Sequence, residues 1–392
     1  MIQTKVCIVG AGPAGASLSH FLSKEKIDHV LVDKASFPRD KVCGDGLTVD
    51  VLNTLKRIDP NLLQKFLKSE DVYPCKGFCF HGPTGKDMRY DFAHSEHGNA
   101  IFYTARRVHL DQFLIENLPE EFVQFLPEHK VTGIERLDSG FSVDLEGAVE
   151  KKILCDFVIG AEGEKPIVTR YLGLTHFRKK EHLMGALRVY YKGVEGFHEN
   201  NHLELFFDKE LLPGYFWVFP LSNGEANVGV IMDSTDISKR KINLKKKLDY
   251  MLKHHPKVSE MFKNAEPLEK PVGWGLPSMT PERKIAGEGY ALIGDAAGMI
   301  EPLTGKGIGP GMVSGRLLSG HIKQAILENR TNLDSYQTHV NRYYEWERRA
   351  MKVMHKVVNK PSTFSLMQHI TEFKPIHNKL HSKIAKEWQR WL

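Results

Sequence analysis

The chain has 392 residues, with 54 Lys and Arg against 48 Asp and Glu, a net charge of +6, and 41% hydrophobic residues. That composition belongs to a globular protein and excludes disorder as the main state. A prior of about 150 residues per domain gives two or three domains, no apolar run approaches the roughly 20 residues that span a bilayer, and the basic excess is too small and dispersed for a nucleic-acid partner.

Met1 to Lys5 leads straight into a strand pattern without signal-peptide architecture, so the expected location is the cytoplasm, peripheral to a membrane at most. The five cysteines, Cys7, Cys43, Cys75, Cys79 and Cys155, lack the paired clusters of a zinc site, and no metal is expected. Cys75 and Cys79 read as unrelated thiols.

Val6-Cys7-Ile8-Val9 is a short apolar run that predicts a strand buried on both faces of a parallel sheet. Gly10, Gly12 and Gly15 follow, with Pro13 and Ala14 between the last two, and then a helical spacing of Leu18, Phe21 and Leu22. Val30-Leu31-Val32 restores a strand, closed by Asp33, which completes a βαβ unit. The glycines permit a tight turn, close backbone approach to a pyrophosphate and close packing of helix on sheet; the helix N-terminus offers free N–H donors to the phosphates. Asp33 lies 18 residues beyond the third glycine, where a carboxylate accepts hydrogen bonds from a ribose hydroxyl. Strand, glycines, helix, strand and acid in register point to an ADP-containing ligand.

Residues 50 to 70 read as helical, and short strand-like pieces separated by turn pairs run from Val72 to Phe102. A further helix is predicted from Arg107, then strands at Phe141 to Asp144 and Phe157 to Gly160 that return to the first sheet. Between about 175 and 280, runs such as Leu203 to Phe207 and Tyr215 to Phe219 suit a separate, largely antiparallel sheet. Tyr290 to Ile293 restores a buried strand. We therefore expect an α/β protein with a discontinuous Rossmann-like nucleotide domain (1–72, 100–172 and 282–330), an inserted β-sheet substrate domain (73–99 and 173–281) and a helical C-terminal region (331–392). In that last region Leu380, Ile384, Trp388 and Trp391 recur at helical spacing beside lysines, which fits a helix docked on its own protein or one resting on a membrane surface.

A second motif, Ile293-Gly294-Asp295-Ala296-Ala297-Gly298, precedes Pro302-Leu303-Thr304-Gly305-Lys306-Gly307-Ile308-Gly309. This pairing resembles the glutathione-reductase-type flavoproteins of the aromatic-hydroxylase group. The resemblance implies FAD as cofactor, with Asp295 on the ribityl chain and Gly294, Pro302, Gly305, Gly307 and Ile308 placing a helix N-terminus near the isoalloxazine carbonyls. It also implies that Arg107 contacts the phosphate and ribityl region, and that Gly160-Ala161-Glu162-Gly163 replaces a Gly-Ala-Asp-Gly motif with Arg170 trailing it. Glu162 is a departure from that pattern. With no second GxGxxG between 100 and 390, reduction is expected from transiently bound NAD(P)H or another donor, including a separate electron-donor protein.

Pro213-Gly214-Tyr215-Phe216-Trp217-Val218-Phe219-Pro220 places Tyr215, Trp217 and Phe219 on one face of a strand, and Phe216 and Val218 on the other. Together with Lys41-Val42-Cys43-Gly44-Asp45-Gly46-Leu47, this run resembles the geranylgeranyl reductase family, flavoenzymes that saturate carbon–carbon double bonds of prenyl lipids. The resemblance spans roughly residues 1 to 330 and implies a hydrophobic or lipid substrate, a tunnel lined by Tyr215 and Trp217, and Cys43 beside the flavin as a proton-transfer residue. Lys34, Arg39, Cys43, Gly44, Val131 and Gly163 complete the expected cofactor set. Where the family often has Cys-Gly-Gly, this chain has Cys43-Gly44-Asp45. Alternatives on the same scaffold are an FAD-dependent aromatic or polyketide monooxygenase and an electron-transfer flavoprotein; the halogenase pattern Trp-x-Trp-x-Ile-Pro is absent.

Overall fold

The computed structural model describes residues 1–92, 100, 102–165, 167–173, 180–280, 283–302, 304–358 and 362–366. The run from Leu380 to Trp391 lies outside the described residues.

The Ile2–Val9 strand is central in an eight-stranded sheet, parallel to His29–Val32 on one side and to Lys151–Gly160 on the other. Val123–Leu126 extends one flank and Tyr290–Leu292 the other. Phe141–Glu146 and Lys130–Arg136 add antiparallel strands to the outer half of Lys151–Gly160. Val6, Cys7 and Ile8 have no exposed surface, as expected of a strand covered on both faces. The Pro13–Lys24 helix lies against the Ile308–Leu327 helix, so the two helices that begin at glycine-rich turns share one layer.

The second sheet, also eight-stranded, carries Tyr215–Pro220 between Glu225–Asp233 and Leu203–Phe206, with Leu183–Lys192 beyond the former. Gly77–His81 pairs in parallel with Leu203–Phe206, and the remaining pairings are antiparallel. The stretch expected to be helical from 50 to 70 is two helices, Val49–Ile58 and Pro60–Leu67. Asp59 divides them: its extended backbone stops the first, and its carboxylate accepts the Asn61 N–H to cap the second, where Pro60 fits the first turn. A small third sheet joins Gly46–Leu47, Phe102–Thr104 and Tyr73–Cys75. All five cysteines are free thiols.

Alternation along Tyr215–Pro220 divides its side chains as the sequence predicts. Phe216 and Val218 join an apolar cluster with Leu248, Met251 and Met261 beneath the sheet, while Tyr215 and Trp217 face the other way. His81 is on the same covered side, stacked on Phe206, with Nδ1 2.6 Å from Asp87 and Nε2 bonded to Glu204. Burial alone would lower its pKa; hydrogen bonds with Asp87, Cys79 and Glu204 outweigh that and push it up to about 10. A raised folded-state value gives stability that is complete below the ordinary 6.5 and lost as pH climbs through about 10. Urea titrations should therefore show wild-type stability declining across that window, with a flatter profile for His81→Gln; parallel profiles would remove His81 as the source.

Candidate active site

The turn from Ile2–Val9 into the Pro13–Lys24 helix is built on close contact. Gly10 has φ +106°, and a Cβ there would stand 2.4 Å from the Ala161 carbonyl oxygen; one at Gly15 would stand 1.9 Å from the Gly10 oxygen. Only glycine permits both the left-handed backbone and this approach. Gly12, which precedes the helix, opens in another direction. Its Cβ would lie 3.4 Å from an Arg39 Nη2 and 3.9 Å from an Arg107 Nη2, so the first turn faces two guanidinium groups. Free N–H groups, the positive helix end and two arginines form a donor set that fits a diphosphate.

Asp33 is buried, and its carboxylate accepts the Ala11 N–H at 2.8 Å and the Ala35 N–H at 2.9 Å. It thereby fastens the glycine turn to the end of the second strand. Each oxygen keeps a lone pair for a ribose hydroxyl.

These groups open onto one cavity of about 1790 Å³ between the two large sheets. Ligand pockets commonly occupy about 300–1,000 Å³, so this one has room for a dinucleotide and a second molecule. Gly10, Gly12, Pro13, Ala14, Asp33, Lys34, Arg39, Cys43, Gly44, Arg107, Val131 and Gly163 all line it, as do Gly294, Asp295, Gly305, Gly307 and Ile308 at the second glycine-rich turn. Tyr215 and Trp217 line its apolar part. Gly15 and Pro302 are not among its lining residues; Gly15 is instead the packing contact.

Arg107 is nearly fully buried and grips Asp111 through Nε at 2.7 Å and Nη2 at 2.8 Å, one helical turn along. Arg39 Nη1 is 3.1 Å from the same carboxylate. Asp295 meets Lys41 at 2.7 Å across 254 residues of chain. Burial would raise the Asp295 pKa, but Lys41 and Arg107 outweigh it and hold the carboxyl below its ordinary value. The Ile308–Leu327 helix starts at Gly307, beside this pair. Glu162, the departure noted in the sequence, uses its extra methylene to accept the Val168 N–H at the start of the Ile167–Tyr171 helix. Burial pushes its carboxyl up to about 7.

The Cys43 loop is tied to the aromatic strand through Asn227 and Tyr190, two side chains that the sequence did not single out. Trp217 Nε1 donates to Asn227 Oδ1 at 2.8 Å, and Asn227 Nδ2 donates to the Cys43 carbonyl at 2.7 Å and to Asp45 Oδ2 at 2.8 Å. Tyr190 donates to the same Asp45 oxygen at 2.7 Å. The Tyr215 hydroxyl donates to the Thr304 carbonyl, which fixes the Gly305 turn against the second sheet. Burial and then the Asp45 charge push the Cys43 thiol up, so it is protonated at neutral pH.

The family model of the FAD binding domain matches residues 3–346. The chain is 30% identical over 319 residues to a menaquinone reductase of Mycobacterium tuberculosis, covering 80% of this chain and 74% of that protein. It is 29% identical over 325 residues to digeranylgeranylglycerophospholipid reductase 1 of Methanothermobacter thermautotrophicus, covering 82% and 77%. In structure it resembles a geranylgeranyl bacteriochlorophyll reductase-like protein of Thermoplasma acidophilum, with TM-score 0.82, 21% identity and full coverage of both chains. A dinucleotide cradle, a second glycine turn at its far end and these matches together lead to one assignment: the chain belongs to the FAD binding domain family and, within it, to the geranylgeranyl reductase group of FAD-dependent oxidoreductases.

Proposed function

We propose that this enzyme saturates carbon–carbon double bonds of a prenyl lipid. The observation that carries the reading is the union of two chemistries in one cavity. The glycine turns, Arg39, Arg107 and Asp295 make its polar end, and Phe78, Phe102, Leu205, Tyr215, Trp217 and Leu276 make an apolar wall suited to a hydrocarbon chain. Relatives that act on menaquinone and on digeranylgeranylglycerophospholipid support the same substrate class.

In this reading the fold is of glutathione-reductase type, with the nucleotide domain formed by 1–72, 100–172 and 282–330 and the substrate domain by 73–99 and 173–281. Gly12, Arg39 and Arg107 hold the diphosphate, Asp33 the ribose and Asp295 the ribityl chain. Lys41, bonded to Asp295 at 2.7 Å, would share that carboxylate with the cofactor. The N-terminus of the Ile308–Leu327 helix would favour negative charge on the bound flavin. FAD supplies the hydride once NAD(P)H or another donor has reduced it. Tyr215 and Trp217 orient the alkene and keep water from it.

No helix among the described residues is long and apolar enough to cross a membrane. Trp346 and Val353 are exposed on the Glu345–Val358 helix, whose Glu347 reaches the cavity rim, and we place peripheral lipid contact there.

The test is a single turnover of FAD-loaded protein, chemically reduced without oxygen, with a geranylgeranyl lipid. Flavin reoxidation coupled to a gain of two hydrogens per saturated bond is the expected result. Flavin that stays reduced until oxygen is admitted would overturn the reading in favour of a monooxygenase.

A further inference from the structure

The floor of the cavity is a sheet, and the register of its strands gives the cavity a direction. Trp217 stands beside Leu205 and Leu205 beside Phe80; one level along, Leu203 stands beside Phe78. All five line the cavity. The next strand, Asp87–Asp91, places Tyr90 beside Phe78 and Met88 beside Phe80, and neither of these lines it. Among the described residues the floor therefore ends at Phe78 and Phe80. The Phe78 ring packs 4.9 Å from Phe80, 5.1 Å from Tyr90 and 5.7 Å from Phe102, centroid to centroid, which makes that end an aromatic wall.

The opposite end is polar. Gly229 lies between Trp217 and Arg188, and Arg188 is bonded to Asp40, whose side chain is 48% exposed; Arg188 and Asp40 both line the cavity, which meets solvent there. A Cβ at Gly229 would stand 2.3 Å from the Trp217 ring, so the indole leans over Gly229 and away from Leu205. That leaves a groove floored by two leucines and closed by Phe78 and Phe80. The cofactor-side glycines lie over the aromatic strand. A Cβ at Gly44 would be 3.8 Å from Trp217, and one at Gly305 3.8 Å from the Tyr215 hydroxyl.

We propose that Phe78 and Phe80 are the chain-end stop of this groove, which admits about two isoprene units beyond the reacting double bond. The proposal rests on the double-bond reduction above and gives it a positional rule. From Trp217 to Phe80 is two strand spacings, roughly 10 Å, and an extended isoprene unit is about as long as one spacing. With the head toward Arg188 and the tail toward Phe80, a bond reaches the aromatic strand only when the chain beyond it fits the groove. In a geranylgeranyl chain the bond next to the head has three units beyond it and stays unsaturated.

The experiment gives geranylgeraniol to FAD-loaded protein, chemically reduced without oxygen, and locates the saturated bonds by fragment mass spectrometry. Wild type should saturate the bonds toward the tail and spare the one next to the hydroxyl. Phe80→Ala opens the end of the groove and should raise saturation of the head-proximal bond, relative to the tail-end bond, by about tenfold or more. Leu205→Phe fills the groove midway and should move saturation further toward the tail end. A variant that only loosens the fold slows every bond alike. Wild type that saturates the head-proximal bond as readily as the others, or variants with wild-type ratios, overturns the proposal. If wild type reduces no lipid, the proposed function falls, and binding of fully saturated prenyl alcohols, read from the absorbance of bound flavin, decides the stop. Phe80→Ala should then favour the longest alcohol over the shortest by about tenfold more than wild type does, and an equal change at all lengths overturns it. Should Phe80→Ala fail to fold, Phe80→Leu carries the same expectation in direction.

Discussion

Gly15→Ala is expected to destabilise the protein by about 3 kcal/mol, the upper part of the usual range for overpacking, and to abolish retention of FAD through purification. The added Cβ would lie 1.9 Å from the Gly10 carbonyl oxygen and 3.2 Å from the Ala161 Cβ. Neither neighbour has room to yield. Gly10 is held by its N–H bond to the Val32 carbonyl at 2.7 Å, and Ala161 by its N–H bond to the Val9 carbonyl at 2.8 Å. Relief must come from the Pro13–Lys24 helix moving off the sheet, which withdraws its N-terminus from the diphosphate position. Gly320→Ala is the control: it lies exposed in the Ile308–Leu327 helix with nothing within 4 Å of an added Cβ, and should stabilise by about 0.5–1 kcal/mol. Urea midpoints and the flavin-to-protein absorbance ratio measure both. A fully flavinated Gly15→Ala protein with a wild-type midpoint would mean that helix and strand do not approach this closely.

The features legible in the sequence are those whose physics is local. Gly10 and Gly15 announce themselves because the close approach admits no other residue type, and Tyr215, Trp217 and Phe219 because a strand has a two-residue period. The Asn227, Asp45, Tyr190 and Trp217 network is different in kind. Its bonds cross 182 residues from Asn227 to Asp45 and 145 from Tyr190 to Asp45, and nothing near Asn227 distinguishes it from any other strand asparagine. Lys41 on Asp295 is hidden for the same reason. Gly46–Leu47 escapes for another: it is too brief to show periodicity, and it exists because Phe102–Thr104 runs beside it. Reading 50 to 70 as helical passes over the break at Asp59, although the Asp-Pro pair disfavours helical backbone at Asp59.

Arg107 grips Asp111 and, in the proposed function, also holds the diphosphate; a pair of variants separates the two. Arg107→Met is expected to cost about 3 kcal/mol, the lower end of the range for breaking a buried ion pair, because Asp111 has no exposed surface and, among the described residues, keeps Arg39 as its ion-pair partner. Adding Asp111→Leu removes the stranded charge and should restore most of that loss, since a buried pair exchanged for apolar side chains is often neutral in stability. Arg39 loses its Asp111 contact in the double variant, but its side chain is 19% exposed and remains 3.8 Å from Asp33, so it can be satisfied by water and that carboxylate. FAD affinity should not recover with stability. A charge-assisted hydrogen bond contributes about 1.5–3 kcal/mol, so both variants should bind FAD roughly tenfold to a hundredfold more weakly than wild type in fluorescence-quenching titrations. Wild-type affinity in the stable double variant would leave Arg107 as a structural partner of Asp111 alone and shift the diphosphate contact to Arg39.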